Sequence, residues 1–379
     1  MTSRGEAGGR RRLGDDQRRA WLRLIRSENV GPSTFRTLVN HFGSAAAALE
    51  ALPELSRRGG ASRRLRIATE AEADAELVTA ERLGARFVAI GEPGYPPVLA
   101  EIDAPPPLLA VLGADAALIR PAVAIVGSRN ASVAGRMMAE RLARGLGDRG
   151  LVIVSGLARG IDAAAHEAAI ESGTIAVLAG GLDRLYPPEH GPLVERIVAA
   201  GGALVSEMPF GWSPRAQDFP RRNRLISGIG LGTVIVEAAR RSGSLHTARF
   251  ALEQGREVFA VPGSPLDPRA EGCNQLLRDG ATLTETADDV LAGLGRRIED
   301  PYPPTTPMAE PEVEMPPPPE PDDDARATVL TALGPTPVAV DAIVRHTRLG
   351  ASTVMVILLE LELAGRLERH PGGLVSRIG

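Results

Sequence analysis

Short apolar runs alternate with segments of helical spacing through the middle of the chain. Residues 123–126 are continuously apolar, as in a strand buried on both faces. Gly127-Ser128-Arg129 interrupts the run, and Ala134, Met137, Met138, Arg141, Leu142 and Leu146 follow at helical spacing. A strand, a tight glycine turn and a helix open a Rossmann-type unit. Its turn aims backbone N–H groups and the positive end of a helix dipole at an anion. The plan repeats. Strands are expected at 151–155, 174–178, 203–206, 233–236 and 257–261, and helices after Asp162 and at 191–200, 222–229 and 245–254. Asp162 is expected to cap the helix that runs to Ser172. The economical fold is α/β, an extended Rossmann-like, doubly wound and mostly parallel sheet, with its ligand edge at the carboxyl ends of the strands.

The flanks have other patterns. Residues 15–85 read as small helices at 17–26, 32–42, 45–52, 63–67 and 72–83. The turn Asn29-Val30-Gly31-Pro32 resembles a helix-hairpin-helix (or SAM-like) module, whose turn N–H groups bind a DNA phosphate; plain helix packing fits the same residues as well. Strands at 87–90 and 108–112 are expected to extend the sheet that starts at Val123, making 86–298 one domain. Residues 1–14 form an arginine- and glycine-rich tail, expected to be disordered and solvated, with nucleic acid as the less favoured partner. Residues 299–324 hold ten prolines between Pro301 and Pro321, beside acidic residues, and read as an extended linker. In 325–379, helices at 325–333, 340–347 and 351–364 precede a hairpin at 367–376, the pattern of a winged helix. The third of these helices is apolar and carries no arginine, so it suits protein contact or packing better than base reading.

Composition narrows the classes. At 379 residues there is room for two or three domains. No stretch approaches the ~20 apolar residues needed to cross a bilayer, and no secretory signal is visible, so no membrane is expected and cytoplasm is the expected location. Cys273 stands alone, which excludes an internal disulfide and a multi-cysteine zinc site. All 43 basic residues are arginine, so a Walker lysine, a kinase lysine and a Schiff-base lysine are absent. Any phosphate clamp must use arginine or backbone N–H groups.

Catalytic patterns are incomplete. In Gly127-Ser128-Arg129-Asn130 the G-x-G-x-x-G motif fails at its second glycine, and the next strand ends at Ser155 where an NAD site places an acid. Ser155 lies outside any G-x-S-x-G, and no two histidines have metal-ligand spacing. Glu207 and Glu237 both end strands and could meet at the sheet edge. Gly230-Leu231-Gly232-Thr233 with Glu237 resembles the phosphoribohydrolases related to lysine-decarboxylase-like proteins, without their full P-G-G-x-G-T-x-x-E. A nucleotide phosphoribohydrolase is therefore the alternative to a non-enzymatic reading with no cofactor, metal or catalytic residue.

The densest cluster joins Phe210-Gly211-Trp212-Ser213-Pro214-Arg215 to Asp218-Phe219-Pro220-Arg221-Arg222-Asn223-Arg224. Arginine forks hold phosphate and aromatic faces stack unpaired bases. Other roles fit some members: Phe219 in the core, Arg224 paired with Glu207 or Glu237, Asn223 tying down its loop. With the turns on the same edge, the expected DNA-binding set is Ser128, Arg129, Gly156, Arg159, Gly160, Gly180, Arg215, Phe219, Arg221, Arg222, Asn223 and Arg224.

Several ordered motifs are similar to those of the DNA processing protein A family (DprA, or Smf). They are Val126-Gly127-Ser128-Arg129, Ser155-Gly156-Leu157-Ala158-Arg159-Gly160-Ile161-Asp162 with His166, and Ala179-Gly180-Gly181-Leu182-Asp183-Arg184-Leu185-Tyr186-Pro187. Ser206-Glu207, Phe219-Pro220-Arg221-Arg222-Asn223-Arg224-Leu225-Ile226, Ser242-Gly243-Ser244-Leu245, Ala260-Val261-Pro262-Gly263 and Gly272-Cys273-Asn274 continue the set. The resemblance implies a non-catalytic protein that binds single-stranded DNA in a basic pocket. It implies a homodimer through the Rossmann domain, and loading of the RecA recombinase in natural transformation. Arg129 would then grip phosphate, the 156–160 turn would donate N–H groups and Phe219 would lie against a base. Some relatives place a lysine three residues before this phenylalanine; here Ala216 stands there, with Arg215 beside it.

Overall fold

A computed structural model describes residues 12–298, 320–370 and 372–378. The tail expected at 1–14 and the linker expected at 299–324 fall almost wholly outside the described residues. The chain divides into two bodies.

The first body is built on a nine-stranded sheet. Its strands are β1 (Ala85–Ala89), β2 (Leu108–Gly113), β3 (Ala122–Val126), β4 (Val152–Ser155), β5 (Thr174–Val177), β6 (Ala203–Ser206), β7 (Gly232–Ile235), β8 (Glu257–Ala260) and β9 (Thr282–Leu283). The order is β1-β2-β6-β5-β4-β3-β7-β8-β9. The strands from β6 to β9 are parallel; β2 pairs antiparallel with β6, and β1 with β2. The expected strands at 87–90 and 108–112 thus join the sheet at its β6 edge, with three strands between them and β3.

β3 shows why the apolar run forms a central strand. Successive side chains point to opposite faces. Val123 and Ile125 enter one core layer with Leu142 and Leu146 of the Val133–Gly147 helix. Ala124 and Val126 enter the other, with Leu225 and Ile226 of the Asp218–Ile229 helix. Neither face meets water, so no polar alternation is seen. Burial of a side chain such as Ile125 contributes ~1.5–3 kcal/mol. The expected domain runs to 298, with 257–261 its last named strand. The structure adds the Glu271–Arg278 helix, the short β9 and the Ala287–Leu294 helix.

The second body combines the N-terminal helices with the winged helix. Helices Asp15–Arg26, Pro32–Phe42 and Ala45–Arg58 enclose Trp21 and Phe35, whose rings meet edge to face at 5.0 Å. The helix expected at 63–67 is extended chain instead. Glu28 N–H donates to the Arg66 carbonyl, Arg66 N–H returns to the Glu28 carboxylate, and Ala68 N–H donates to Ser27 Oγ. These bonds hold the segment flat beside Ser27 and Glu28, which a helix cannot match. The winged helix has helices Asp323–Ala332, Val340–Thr347 and Ala351–Leu363 with strands β10 (Val338–Ala339), β11 (Leu367–His370) and β12 (Leu374–Arg377), ordered β10-β12-β11. Among the described residues, no single helix is long and apolar enough to cross a membrane.

Candidate nucleic-acid interface

The helix after β3 covers one face of the sheet and the helix after β7, Ser244–Glu253, covers the other. Because β3 and β7 are neighbours, their following loops part and leave a crevice at the carboxyl edge, the place where open α/β sheets hold ligands. Two adjoining hollows of about 700 and 350 Å³ occupy it, sharing Arg129, Asn130, Ala158, Phe219 and Arg222. The first turn of the Asp218–Ile229 helix lines this crevice through Phe219, Pro220 and Arg222, which puts the positive end of its dipole beside it.

The rim is set by Arg129. Its exposed guanidinium lies 5.0 Å from the Phe219 ring centroid. Tyr186 meets the same ring edge-on at 5.5 Å. Among the described residues Arg129 makes no ion pair. The turn beneath it is closed: Ser128 Oγ accepts from Asn130 N–H at 3.2 Å, and the Ser128 carbonyl accepts from Ile161 N–H at 3.2 Å. Gly160 is required for that approach. Its φ is +79°, and a Cβ there would stand 2.3 Å from the Ser128 oxygen.

The floor is Arg222, buried at 5 % exposure. Its guanidinium donates to the Gly156 carbonyl at 2.6 Å, to the Val177 carbonyl, and to Asn223 Oδ1 at 3.3 Å. These acceptors are neutral, so its charge is not cancelled by direct pairing. Burial pulls the Arg222 guanidinium down to about 10, opposed by the charge of Asp162. Burial likewise raises the Asp162 carboxyl, opposed by Arg222. Arg222 is therefore a cation at neutral pH, beneath the Arg129 charge.

Asp162 was expected to cap a helix reaching Ser172. It is instead the second residue of the Ile161–Ala168 helix, with Gly160 at the cap position. Its carboxylate reaches back and accepts from Gly156 N–H at 3.1 Å and Ala158 N–H at 3.3 Å. The Gly156 amide is thus engaged within the protein.

Of the twelve expected residues, Ser128, Arg129, Gly156, Arg159, Phe219, Arg222 and Asn223 line the hollows. Arg159 does so while paired with Glu189. Asn223 Nδ2 donates to the Gly243 carbonyl at 3.2 Å and ties its helix to the turn before Ser244. The others lie elsewhere. Gly160 supports the turn. Gly180 packs beneath the 209–214 loop, where a Cβ would meet the Trp212 carbonyl at 2.8 Å. Arg215 lies over the Trp212 ring at 4.5 Å, while its neighbour Ala216 lines the larger hollow. Arg221 and Arg224 both pair with the buried Glu207. Tyr186, Asn130, Arg241, Ser242, Gly243, Ser244, His246 and Thr247 also line the hollows, outside the expected DNA-binding set. The Ser-Gly-Ser turn between β7 and the next helix was the available signal.

Glu207 and Glu237 do not meet, since β5, β4 and β3 stand between their strands. Glu237 accepts from Ser132 N–H at 3.0 Å and from Ser132 Oγ, and so holds the start of the Val133–Gly147 helix. Burial pushes the Cys273 thiol up to about 12, far from a thiolate at neutral pH. His166 is fully buried, bonded through Nδ1 to Thr174 Oγ1 at 2.7 Å, and burial lowers it to about 3. A depressed pKa gives stability present above the unfolded value near 6.5 and lost as pH falls towards 3. Between pH 6 and 5 the wild type should lose up to about 1.4 kcal/mol per pH unit more than His166→Gln. Parallel denaturant titrations at each pH measure it; equal slopes would show that His166 carries the proton in the folded state.

The profile of the family described as DNA recombination-mediator protein A matches residues 86–295. Profiles described as the DprA-like N-terminal HHH domain and the DprA winged helix domain match 15–79 and 313–373. Protein Smf of Escherichia coli is 41% identical over 287 residues, covering 74% of each chain. Protein Smf of Synechocystis is 32% identical over 393 residues, covering 95% of this chain and 98% of its own. Among solved structures, DprA of Streptococcus pneumoniae superposes with a TM-score of 0.54 at 38% identity, over 64% of this chain and 86% of that one. DNA processing protein A of Helicobacter pylori, described by its single-stranded DNA binding mode, gives 0.51 at 28% identity over 57% and 97%. With a profile spanning more than half of its length and relatives similar over most of the rest, the chain belongs to the DNA processing protein A (DprA/Smf) family.

Proposed function

We propose that the protein binds single-stranded DNA through this cleft without sequence preference and delivers it to a RecA recombinase in recombination and DNA uptake. The observation that carries the reading is Arg129 laid over Phe219 above the buried Arg222. Among the described residues no carboxylate bonds either cation, and two such cations suit a phosphate, while the ring beside them suits a base. A duplex stacks its base faces away, whereas an unpaired strand presents phosphate and base face together. Binding of single-stranded DNA by the H. pylori relative supports the same ligand here. The homodimer through the sheet domain, RecA as recipient and a cytoplasmic location rest on family membership. The phosphoribohydrolase alternative is disfavoured by Glu237, which is engaged with Ser132.

The test is a salt titration of single- and double-stranded oligonucleotides by fluorescence anisotropy. The single strand should bind more tightly. Phe219→Ala should weaken it by about 1–3 kcal/mol with the salt slope nearly intact, because a stack releases no counterion. Equal affinity for both forms would overturn the cleft's preference, and a reduced slope would overturn the stacking role. Acceleration of RecA assembly on the same strand is the separate test of delivery.

A further inference from the structure

The Ala351–Leu363 helix is apolar on more than one face, and such a helix needs neighbours on more than one side. Val354, Ile357, Leu358 and Leu361 belong to the winged-helix core. Val356, Leu359, Glu360 and Leu363 form a second stripe at i, i+3, i+4 and i+7, and they are buried too: Leu359 and Leu363 at 0 %, Glu360 at 1 %. The N-terminal Ala45–Arg58 helix packs on this helix, and its capping residue Gly59 comes so close that a Cβ would stand 1.9 Å from the Glu360 carbonyl oxygen. Hydrogen bonds join the same surfaces. Thr34 Oγ1 donates to Glu362 Oε1 at 2.7 Å, Asn29 Nδ2 to the Leu363 carbonyl at 3.0 Å, Ser56 Oγ to the same carbonyl at 3.5 Å, and Arg366 Nη1 to the Gly59 carbonyl at 3.1 Å.

We infer that the third helix of the winged helix is a docking surface for the N-terminal helical module of the same chain, and does not read duplex DNA. The chemistry of the stripe fits a protein partner. It has no basic residue, and its buried Glu360 carboxylate is gripped by Arg326 at 2.8 and 2.9 Å, so no cation is offered to a phosphate. The contact also engages Asn29, the first residue of the hairpin-like turn, whose side-chain amide satisfies a carbonyl at the end of the third helix. The two ends of the chain therefore form one cooperative body.

Gly59 supplies the test. Its φ of −67° and ψ of −5° accept alanine, so only the contact across the interface objects to a methyl group. In the full-length protein, hydrogen exchange of the 351–363 amides should accelerate about tenfold or more in Gly59→Ala, with β3 and β4 unchanged. Thr34→Val removes one bond of the contact without adding bulk, and should accelerate the same amides about threefold or more. Exchange of the amides around Trp21, buried in the N-terminal module, reports whether that module stays folded; if Gly59→Ala unfolds it, Thr34→Val decides. Unchanged exchange in the folded variants would overturn the docking assignment. So would tighter duplex binding by Gly59→Ala, because the freed helix would then be a masked DNA reader.

Discussion

Replacing Arg222 with methionine is expected to cost about 3–5 kcal/mol of folding stability, mostly from two buried carbonyls left without a donor at about 1–3 kcal/mol each. Three groups lose their complement at once. The carbonyls of Gly156, just past β4, and of Val177, the last residue of β5, lose their donor. Asp162 loses the cation that opposes its burial. Methionine fills the length of the side chain, so the deficit reports charge and hydrogen bonds more than cavity. The pH dependence identifies the Asp162 share. A carboxyl whose folded pKa is raised contributes stability at low pH and loses it as pH rises through the folded value. Without Arg222 that pKa rises further, so the deficit should be greatest at neutral pH and shrink on acidification. Arg222→Lys keeps the charge but lacks the planar fork, and should restore part of the loss. Denaturant midpoints at constant m-value measure all three proteins; a deficit below about 1 kcal/mol, flat with pH, would show that Arg222 is not the counter-charge to Asp162.

The sheet was legible because a strand buried on both faces has no polar position to disguise it. β3 to β8 each read as a short apolar run. β9 did not, since Thr282 and Leu283 form only a two-residue edge with no run to detect. The segment at 63–67 misled because its conformation is dictated by Ser27 and Glu28, far away in sequence. In the site, the arginines were legible as a cluster and not as individuals. Helical spacing puts Arg222, Asn223 and Ile226 on the crevice side, while Arg221 and Arg224 turn to Glu207. That split follows from the 3.6-residue period, but only once the position of the sheet edge is known. Asp162 was legible as a helix-start acid; that it returns to Gly156 depends on a turn no local pattern specifies. The third winged-helix helix is the converse case. Its apolar residues on more than one face already required a second neighbour, though not which one.

Arg129→Ala is expected to weaken single-stranded DNA binding by about 1.5–3 kcal/mol, the range for hydrogen bonds to a charged group. The log–log salt slope should fall by about 0.7, the value for one phosphate contact on a single strand. The slope is the sharper readout, because loss of packing weakens affinity without changing counterion release. Arg221→Ala is the matched control: it removes the same charge from the helix that lines the crevice, but from a side chain held by Glu207, and should leave the slope nearly unchanged. Arg129 and Phe219 touch, so their effects should not add. In the double variant the coupling should be about 0.5–1 kcal/mol, the size of an exposed cation–π contact that pre-organises the rim. Additive losses would mean that phosphate and base are held independently. An unchanged slope in Arg129→Ala would mean that the strand does not enter the crevice at all, and with that result the bare guanidinium over Phe219 would need another anion to explain it.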